Sequence, residues 1–210
     1  MKSLKIFFQL FLIVLVISVS VGSCKDNYNY VDYTKLEADE IELLEKFYNS
    51  EIYKNIISEG TDTIFVNDTT FNIVIDSLDK KDVNGLIMVR SFRSSNNDTI
   101  KIGQTAGFRY TFWYVGEDED NNKEIILYAL FTNQYANEPD YYTVGNFTTT
   151  NATMSYGIDY GIQNMFLLDR CIMILPSSIG AQSLLSGYSA RDRYKIIVAE
   201  IEITYLPDIY

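Results

Sequence analysis

The chain has no histidine among its 210 residues, and this absence removes several kinds of site at once. Catalysis by Ser-His-Asp or Cys-His groups needs an imidazole as general base in its usual forms. Imidazole is also the commonest side-chain ligand of metal ions in proteins. We therefore expect no catalytic triad, no bound metal and no cofactor.

Positive charge is also scarce. The 17 lysines and arginines are outnumbered by 28 aspartates and glutamates, which gives a formal net charge of -11. An acidic chain without a basic cluster is repelled by phosphate backbones, so we expect no nucleic-acid partner. Binding to anionic lipid headgroups through charge is disfavoured for the same reason.

The beginning of the chain has the order of a secretory signal. Lys2 and Lys5 precede an almost purely apolar run over residues 6–21, which the small residues Gly22 and Ser23 follow. The run is shorter than the roughly 20 residues that usually span a bilayer. Residues 1–23 are therefore predicted to be a signal peptide that is removed from the mature protein.

Cysteine is rare, and the two present have different surroundings. Val21-Gly22-Ser23-Cys24 resembles the lipobox of bacterial lipoproteins, in which the cysteine receives acyl chains such as palmitate. The alternative is an incidental cysteine near an ordinary cleavage site. A lipidated Cys24 could form no disulfide, which would leave Cys171 as a lone thiol in an apolar run, most simply a buried core residue.

Lipidation would determine where the protein resides. Removing two lysines with the signal peptide changes the net charge from -11 to -13 (-11 - 2), so attachment would depend on acyl chains and not on charge. Residues 24–31 are then a short tether. We expect a membrane-anchored lipoprotein of the cell envelope, at the outer membrane.

Apolar periodicity predicts an α+β fold. One helix is predicted over residues 33–48, a further helical turn or two before Gly60, and a short helix near residues 157–166. Residues 63–66 and 71–75 are predicted to form a hairpin, and the acidic residues of the first helix, Glu37, Glu40, Glu42 and Glu45, to face solvent. The other predicted strands are residues 85–92, 107–115, 123–132, 170–175 and 195–206. Residues 32–84 would form an extension and residues 85–206 the main domain.

The main domain carries short motifs whose order resembles the FKBP-type peptidyl-prolyl isomerases. Residues 98–104 are similar to the segment before that family's first central strand, and Phe108-Arg109-Tyr110-Thr111 is similar to its hYTG motif. The remaining matches are residues 130–133 for FDSS, 142–145 for FxLG, 157–165 for GxxxGLxxM, 174–180 for IPxxxxYG and 201–203 for VEL. Together with the leader, the domain resembles FKBP-like lipoproteins of the Bacteroidetes.

This resemblance implies an antiparallel sheet wrapped around one short helix, with a cleft for a proline-containing polypeptide. The implied pocket residues are Tyr110, Phe131, Thr132, Tyr142, Ile158 and Ile179. Tyr110 and Phe131 match the family. Thr132 stands where the family usually has an aspartate, Ile158 where many members have a tryptophan, and Ile179 where a tyrosine donates a hydrogen bond. Relative to the family's usual pocket, this chain is therefore expected to lack both polar and aromatic contacts.

The absence of histidine is compatible with the activity that the resemblance implies. A prolyl isomerase lowers a rotational barrier of about 18 to 20 kcal/mol, and an apolar cleft with fixed dipoles suffices in principle. Three functions remain open: a cell-envelope prolyl isomerase or folding factor, a non-catalytic FKBP-like module that binds an envelope protein, and a glycan-binding lipoprotein. The 17 tyrosines permit the last without requiring it.

Overall fold

One antiparallel sheet organises the molecule. The computed structural model describes residues 31–60, 62–65, 85–95, 98–120, 123–145 and 154–206. The sheet has seven strands in the order β1-β2-β6-β7-β3-β4, and β5 pairs with β3 as well. The strands are β1 Asp62–Phe65, β2 Ile87–Phe92, β3 Thr105–Glu117, β4 Ile125–Thr132, β5 Asp140–Thr143, β6 Arg170–Leu175 and β7 Ile197–Tyr205. Each pairing between them is antiparallel.

Helices cover the sheet. They are α1 Tyr33–Asn49, α2 Glu51–Glu59, α3 Tyr156–Ile162, α4 Ala181–Leu184 and a 3-10 turn at Asp192–Tyr194. Serine caps begin two of them: the Ser50 hydroxyl accepts from the Tyr53 amide at 3.2 Å, and the Ser155 hydroxyl from the Ile158 amide at 3.3 Å. Such caps satisfy amides that have no partner inside the helix. Within the described residues, no helix is long and apolar enough to cross a bilayer.

The sheet separates two hydrophobic clusters, because successive side chains of a strand point to opposite faces. On β3, Phe108 and Phe112 belong to the cluster that contains Ile158 of α3, which we call the α3 cluster. Val115 belongs to the cluster that contains Phe47 of α1, which we call the α1 cluster. The short helix therefore packs on one face, and the N-terminal helix packs on the other.

The predicted α+β class, with an antiparallel sheet around a short helix and a helical segment before it, is confirmed. The predicted strands and helices that fall within the described residues agree with the structure to within a few residues at their ends. Three short elements, β5, α4 and the 3-10 turn, were not predicted. Four residues of strand, or one turn of helix, are too few to show a periodic pattern.

The predicted hairpin concerns a part of the chain that the structure describes only partly. Residues 62–65 form β1, which pairs with β2, so that Ile64 lies opposite Met88. The predicted second strand at residues 71–75 lies outside the described residues. The signal peptide and most of the tether also lie outside them, and the boundary between residues 84 and 85 stays a prediction.

Candidate functional site

Four of the six predicted pocket residues come together in the α3 cluster. Tyr110 comes from β3, Tyr142 from β5, Ile158 from α3 and Ile179 from the turn before α4. All four are almost completely buried: Ile158 is 0% exposed, and the other three are 5% exposed. The elements that carry these motifs, β3, β5, α3 and the turn before α4, thus meet on one face of the sheet.

The other two predicted residues lie next to each other on β4 but differ in their surroundings. Phe131 is half-buried and packs against the α3 cluster, so we define the candidate cleft as Tyr110, Phe131, Tyr142, Ile158 and Ile179. Thr132 is exposed, and its hydroxyl lies 3.0 Å from the Thr111 hydroxyl across the strand pair. Thr132 therefore contributes to the surface of the sheet and not to the apolar cluster.

The Tyr110 hydroxyl has a carboxylate partner that the sequence did not reveal. It donates to Asp140 Oδ2 at 2.9 Å, across thirty residues of sequence. Burial, the hydrogen bond to Asp140 and that residue's charge raise the pKa of Tyr110 well above its ordinary value. Tyr110 is therefore a neutral donor at physiological pH, held by an acid on β5.

A second tyrosine and carboxyl lie together at the start of α3. Asp159 accepts from the Gly145 amide at 2.8 Å and from Gln163 Nε2 at 3.2 Å. Burial and the neighbouring Asp159 carboxylate raise the pKa of Tyr142. This arrangement fixes the end of β5 against α3, because the residues after β5 are bound to a helix side chain.

Asn133 holds the turn after β4 to the central strand. Its Oδ1 accepts from the Tyr110 amide at 2.6 Å, and its Nδ2 donates to the Phe108 carbonyl at 3.1 Å. Arg109 Nη1 also donates to the Asn133 carbonyl at 3.0 Å. Sequence reasoning missed this role, since an asparagine directly after a strand is typical of any turn.

The turn at residues 176–180, which we call the wall turn, packs closely on α3. The Gly157 amide donates to the Ile179 carbonyl at 2.9 Å. A Cβ atom at Gly157 would lie 2.5 Å from Leu175 Cδ2 and 3.0 Å from the Ile179 carbonyl oxygen, so a side chain does not fit there. The glycine of the GxxxGLxxM-like motif is therefore explained by close approach of backbone to backbone.

Glu40 corrects the expectation that the acidic residues of α1 all face solvent. It is 3% exposed, and its carboxylate accepts from the Ser177 amide at 2.6 Å and from the Ser177 hydroxyl at 2.5 Å. Burial raises the pKa of Glu40 to about 7, against the opposing effect of the two bonds from Ser177. A helical wheel places Glu40 beside other acids, and only the docking of α1 reveals its partner.

The chemistry available at the candidate cleft is that of an apolar surface with a tyrosine donor. Cys171 is fully buried as predicted, and burial raises the pKa of its thiol to about 12, so it is not a nucleophile. In the described part of the chain, no three acidic, cysteine or histidine side chains are grouped to hold a metal ion.

Comparison with known proteins finds similarity at the level of solved structures only. No protein-family model matches the chain, and no curated protein sequence does. The chain is similar to FkpA from Escherichia coli, with 14% identity and a TM-score of 0.49, over 97% of this chain and 71% of that one. It is also similar to a peptidyl-prolyl cis-trans isomerase from Pseudomonas syringae pv. tomato, with 11% identity and a TM-score of 0.47, over 85% and 98%. Both values are too low to transfer any property of a site to this chain.

Proposed function

We propose that this chain is a lipid-anchored cell-envelope protein of FKBP-like architecture whose candidate cleft binds a proline-containing segment of another polypeptide. Three observations support the proposal: the order of the motifs, the antiparallel sheet around α3, and the convergence of Tyr110, Tyr142, Ile158 and Ile179 in one cluster. The anchoring rests on the lipobox-like sequence that ends at Cys24.

The burial of the candidate cleft favours binding over efficient catalysis in this proposal. Ile158 is 0% exposed and Ile179 is 5% exposed, so both side chains are packed in the core and reach a ligand only if the cleft opens. Opening the cleft costs free energy before any substrate is bound, and both residues are aliphatic where the family has polar or aromatic groups. We therefore propose a polypeptide-binding module whose isomerase turnover is low.

One observation favours the second candidate, an active prolyl isomerase. Tyr110 keeps a charge-assisted hydrogen bond to Asp140, which fixes its ring and its dipole at the wall of the cleft. Fixed dipoles in a water-free cleft are the means by which such an enzyme favours the twisted amide. This candidate requires that the cleft open readily to an Xaa-Pro segment.

Binding is tested by NMR titration of the purified full chain in mild detergent. One peptide carries a central proline and its matched control carries alanine there. We expect the proline peptide to shift the signals of Tyr110, Phe131 and Ile179, and the alanine peptide to shift them less. The single variant Phe131→Ala, at a half-buried position, should weaken the response, and its spectrum shows whether the fold is kept. Equal responses to both peptides, or shifts confined to other surfaces, would contradict the proposal.

A further inference from the structure

The two bonds between Glu40 and Ser177 join the N-terminal helix to the wall of the candidate cleft. We infer that Glu40 is a positioning residue that holds the wall turn against α3 and so keeps the cleft closed over Ile158. The functional part of this inference rests on the proposed binding of polypeptide. The structural part, that Glu40 fixes the turn, stands independently of any ligand.

Ser177 needs Glu40 because it is buried. Only 2% of Ser177 is exposed, and both its amide and its hydroxyl donate to the Glu40 carboxylate, at 2.6 and 2.5 Å. A buried donor without an acceptor is unfavourable. Without Glu40, the free energy would therefore be lower if the turn moved to where water can accept the hydrogen bonds of Ser177. The contact joins positions 137 residues apart, so it is a tertiary contact and not a local turn bond. We call the two hydrogen bonds between Glu40 and Ser177 the brace.

The wall turn transmits any movement of Ser177 to the cleft. The Gly180 amide donates to the Pro176 carbonyl at 3.0 Å and the Gln182 amide to the Ser177 carbonyl at 2.9 Å, so the turn moves as one piece with the start of α4. Ile179 lies inside this piece. Its carbonyl accepts from the Gly157 amide at 2.9 Å, and Gly157 has no room for a side chain. Displacement of the turn must therefore change the contact with α3.

The consequence is that α1 takes part in the construction of the site. Ile179 is the candidate pocket residue on the wall turn, and it stays 5% exposed while Ser177 is held. Releasing Ser177 should expose Ile179 and open the space above Ile158. The closed state of the cleft would then depend on α1, a helix that lies outside the predicted main domain.

Amide hydrogen exchange on the full chain without ligand tests the brace. In Glu40→Ala we expect the Gly157 amide to exchange about tenfold faster or more, and the Ile201 amide in the central strand β7 to accelerate by a clearly smaller factor. Glu40→Gln keeps an acceptor for the Ser177 amide and supplies a donor for its hydroxyl, so it should restore slow exchange. Glu45→Ala, an exposed acid of the same helix, is the matched control.

Two results would overturn the inference. One is unchanged Gly157 exchange in Glu40→Ala, and the other is equal acceleration at Gly157 and Ile201, which would indicate global destabilisation. If Glu40→Ala does not fold, Ser177→Ala removes only the hydroxyl bond and should give the same local effect at smaller size; slow exchange at Gly157 there would also overturn it.

Titration with the proline peptide separates this inference from the proposed function. Glu40→Ala should bind the peptide several-fold more tightly than the unmodified chain, because its cleft no longer has to be opened. If exchange at Gly157 accelerates locally but neither protein binds the peptide, the inference that Glu40 positions the wall turn stands and the proposed function fails. If both bind it equally, the claim that the brace closes the cleft is wrong.

Discussion

At the scale of single residues, the motifs predicted side chains that the structure brings into one cluster, but not the polar residues that hold them. Tyr110 and Phe131 were predicted because each belongs to a short motif with its own spacing. Asp140, Asn133 and Glu40 act through bonds to residues far away in sequence, at separations of 30, 23 and 137. Such partners depend on strand register and helix docking, which no local pattern encodes.

The bond between Tyr110 and Asp140 leads to a prediction on stability. Tyr110→Phe removes the donor at 2.9 Å and leaves the Asp140 carboxylate without it, so we expect a loss of about 1 to 2 kcal/mol in the free energy of unfolding. Urea denaturation measures it. Asp140→Asn keeps an acceptor and should cost less than Tyr110→Phe. Equal stability of Tyr110→Phe and the unmodified chain would show that the bond contributes nothing.

The buried carboxyl of Glu40 makes stability depend on pH in a defined window. Its pKa rises from 4.5 to about 7 on folding, so between these values the folded chain holds the proton more tightly than the unfolded chain. Stability should then fall as pH rises through the window, by up to about 3 kcal/mol from this group. The difference in unfolding free energy between Glu40→Gln and the unmodified chain measures it. A difference that stays constant from pH 4.5 to 7.5 would contradict the assignment.

At the scale of elements, the long periodic segments were predicted well and the short ones were not. The predicted helix at residues 33–48 is α1, Tyr33–Asn49, because several apolar residues recur on one face over its turns. The strand at residues 170–175 is β6, Arg170–Leu175. β5 was missed because its sequence, Asp140–Thr143, is four residues long and becomes a strand only by pairing with β3.

The packing of α1 on the sheet predicts that the helix and the sheet unfold together. Phe47 is fully buried in the α1 cluster, and Phe47→Ala should lower the free energy of unfolding by about 3 to 5 kcal/mol. Thermal unfolding followed by both far-ultraviolet and tyrosine circular dichroism should show one shifted transition. Glu45→Ala is the surface control. A separate early loss of helix with an intact sheet would instead support residues 32–84 as an independent extension.

At the scale of the whole molecule, the order of weak motifs predicted the fold class although each motif alone is ambiguous. The alternation of apolar residues predicted an antiparallel sheet. One helical segment that contains glycine predicted the short helix around which this sheet wraps. Neither pattern specifies whether the cleft is open. That property depends on how Ile158 and Ile179 pack together, which is decided by the volumes of side chains from distant elements.

Attachment to the membrane through Cys24 is a prediction at this same scale. The full chain expressed in a bacterial host with its leader should incorporate labelled palmitate and sediment with membranes, also in 1 M salt, because acyl chains and not charges hold it. Cys24→Ser should lose the label. Cys171→Ser is the matched control and should keep it. Membrane sedimentation without any label in the unmodified chain would contradict lipidation.

The central claim is that the candidate cleft binds a proline-containing polypeptide, and that its closed state in the unbound chain prevents efficient catalysis. NMR exchange spectroscopy of a proline peptide measures cis-trans interconversion directly in the presence of the full chain. We predict acceleration over buffer of less than about tenfold, since the closed cleft and the missing polar and aromatic contacts raise the barrier. Acceleration by several orders of magnitude, reduced by Phe131→Ala, would contradict the claim and identify an active isomerase.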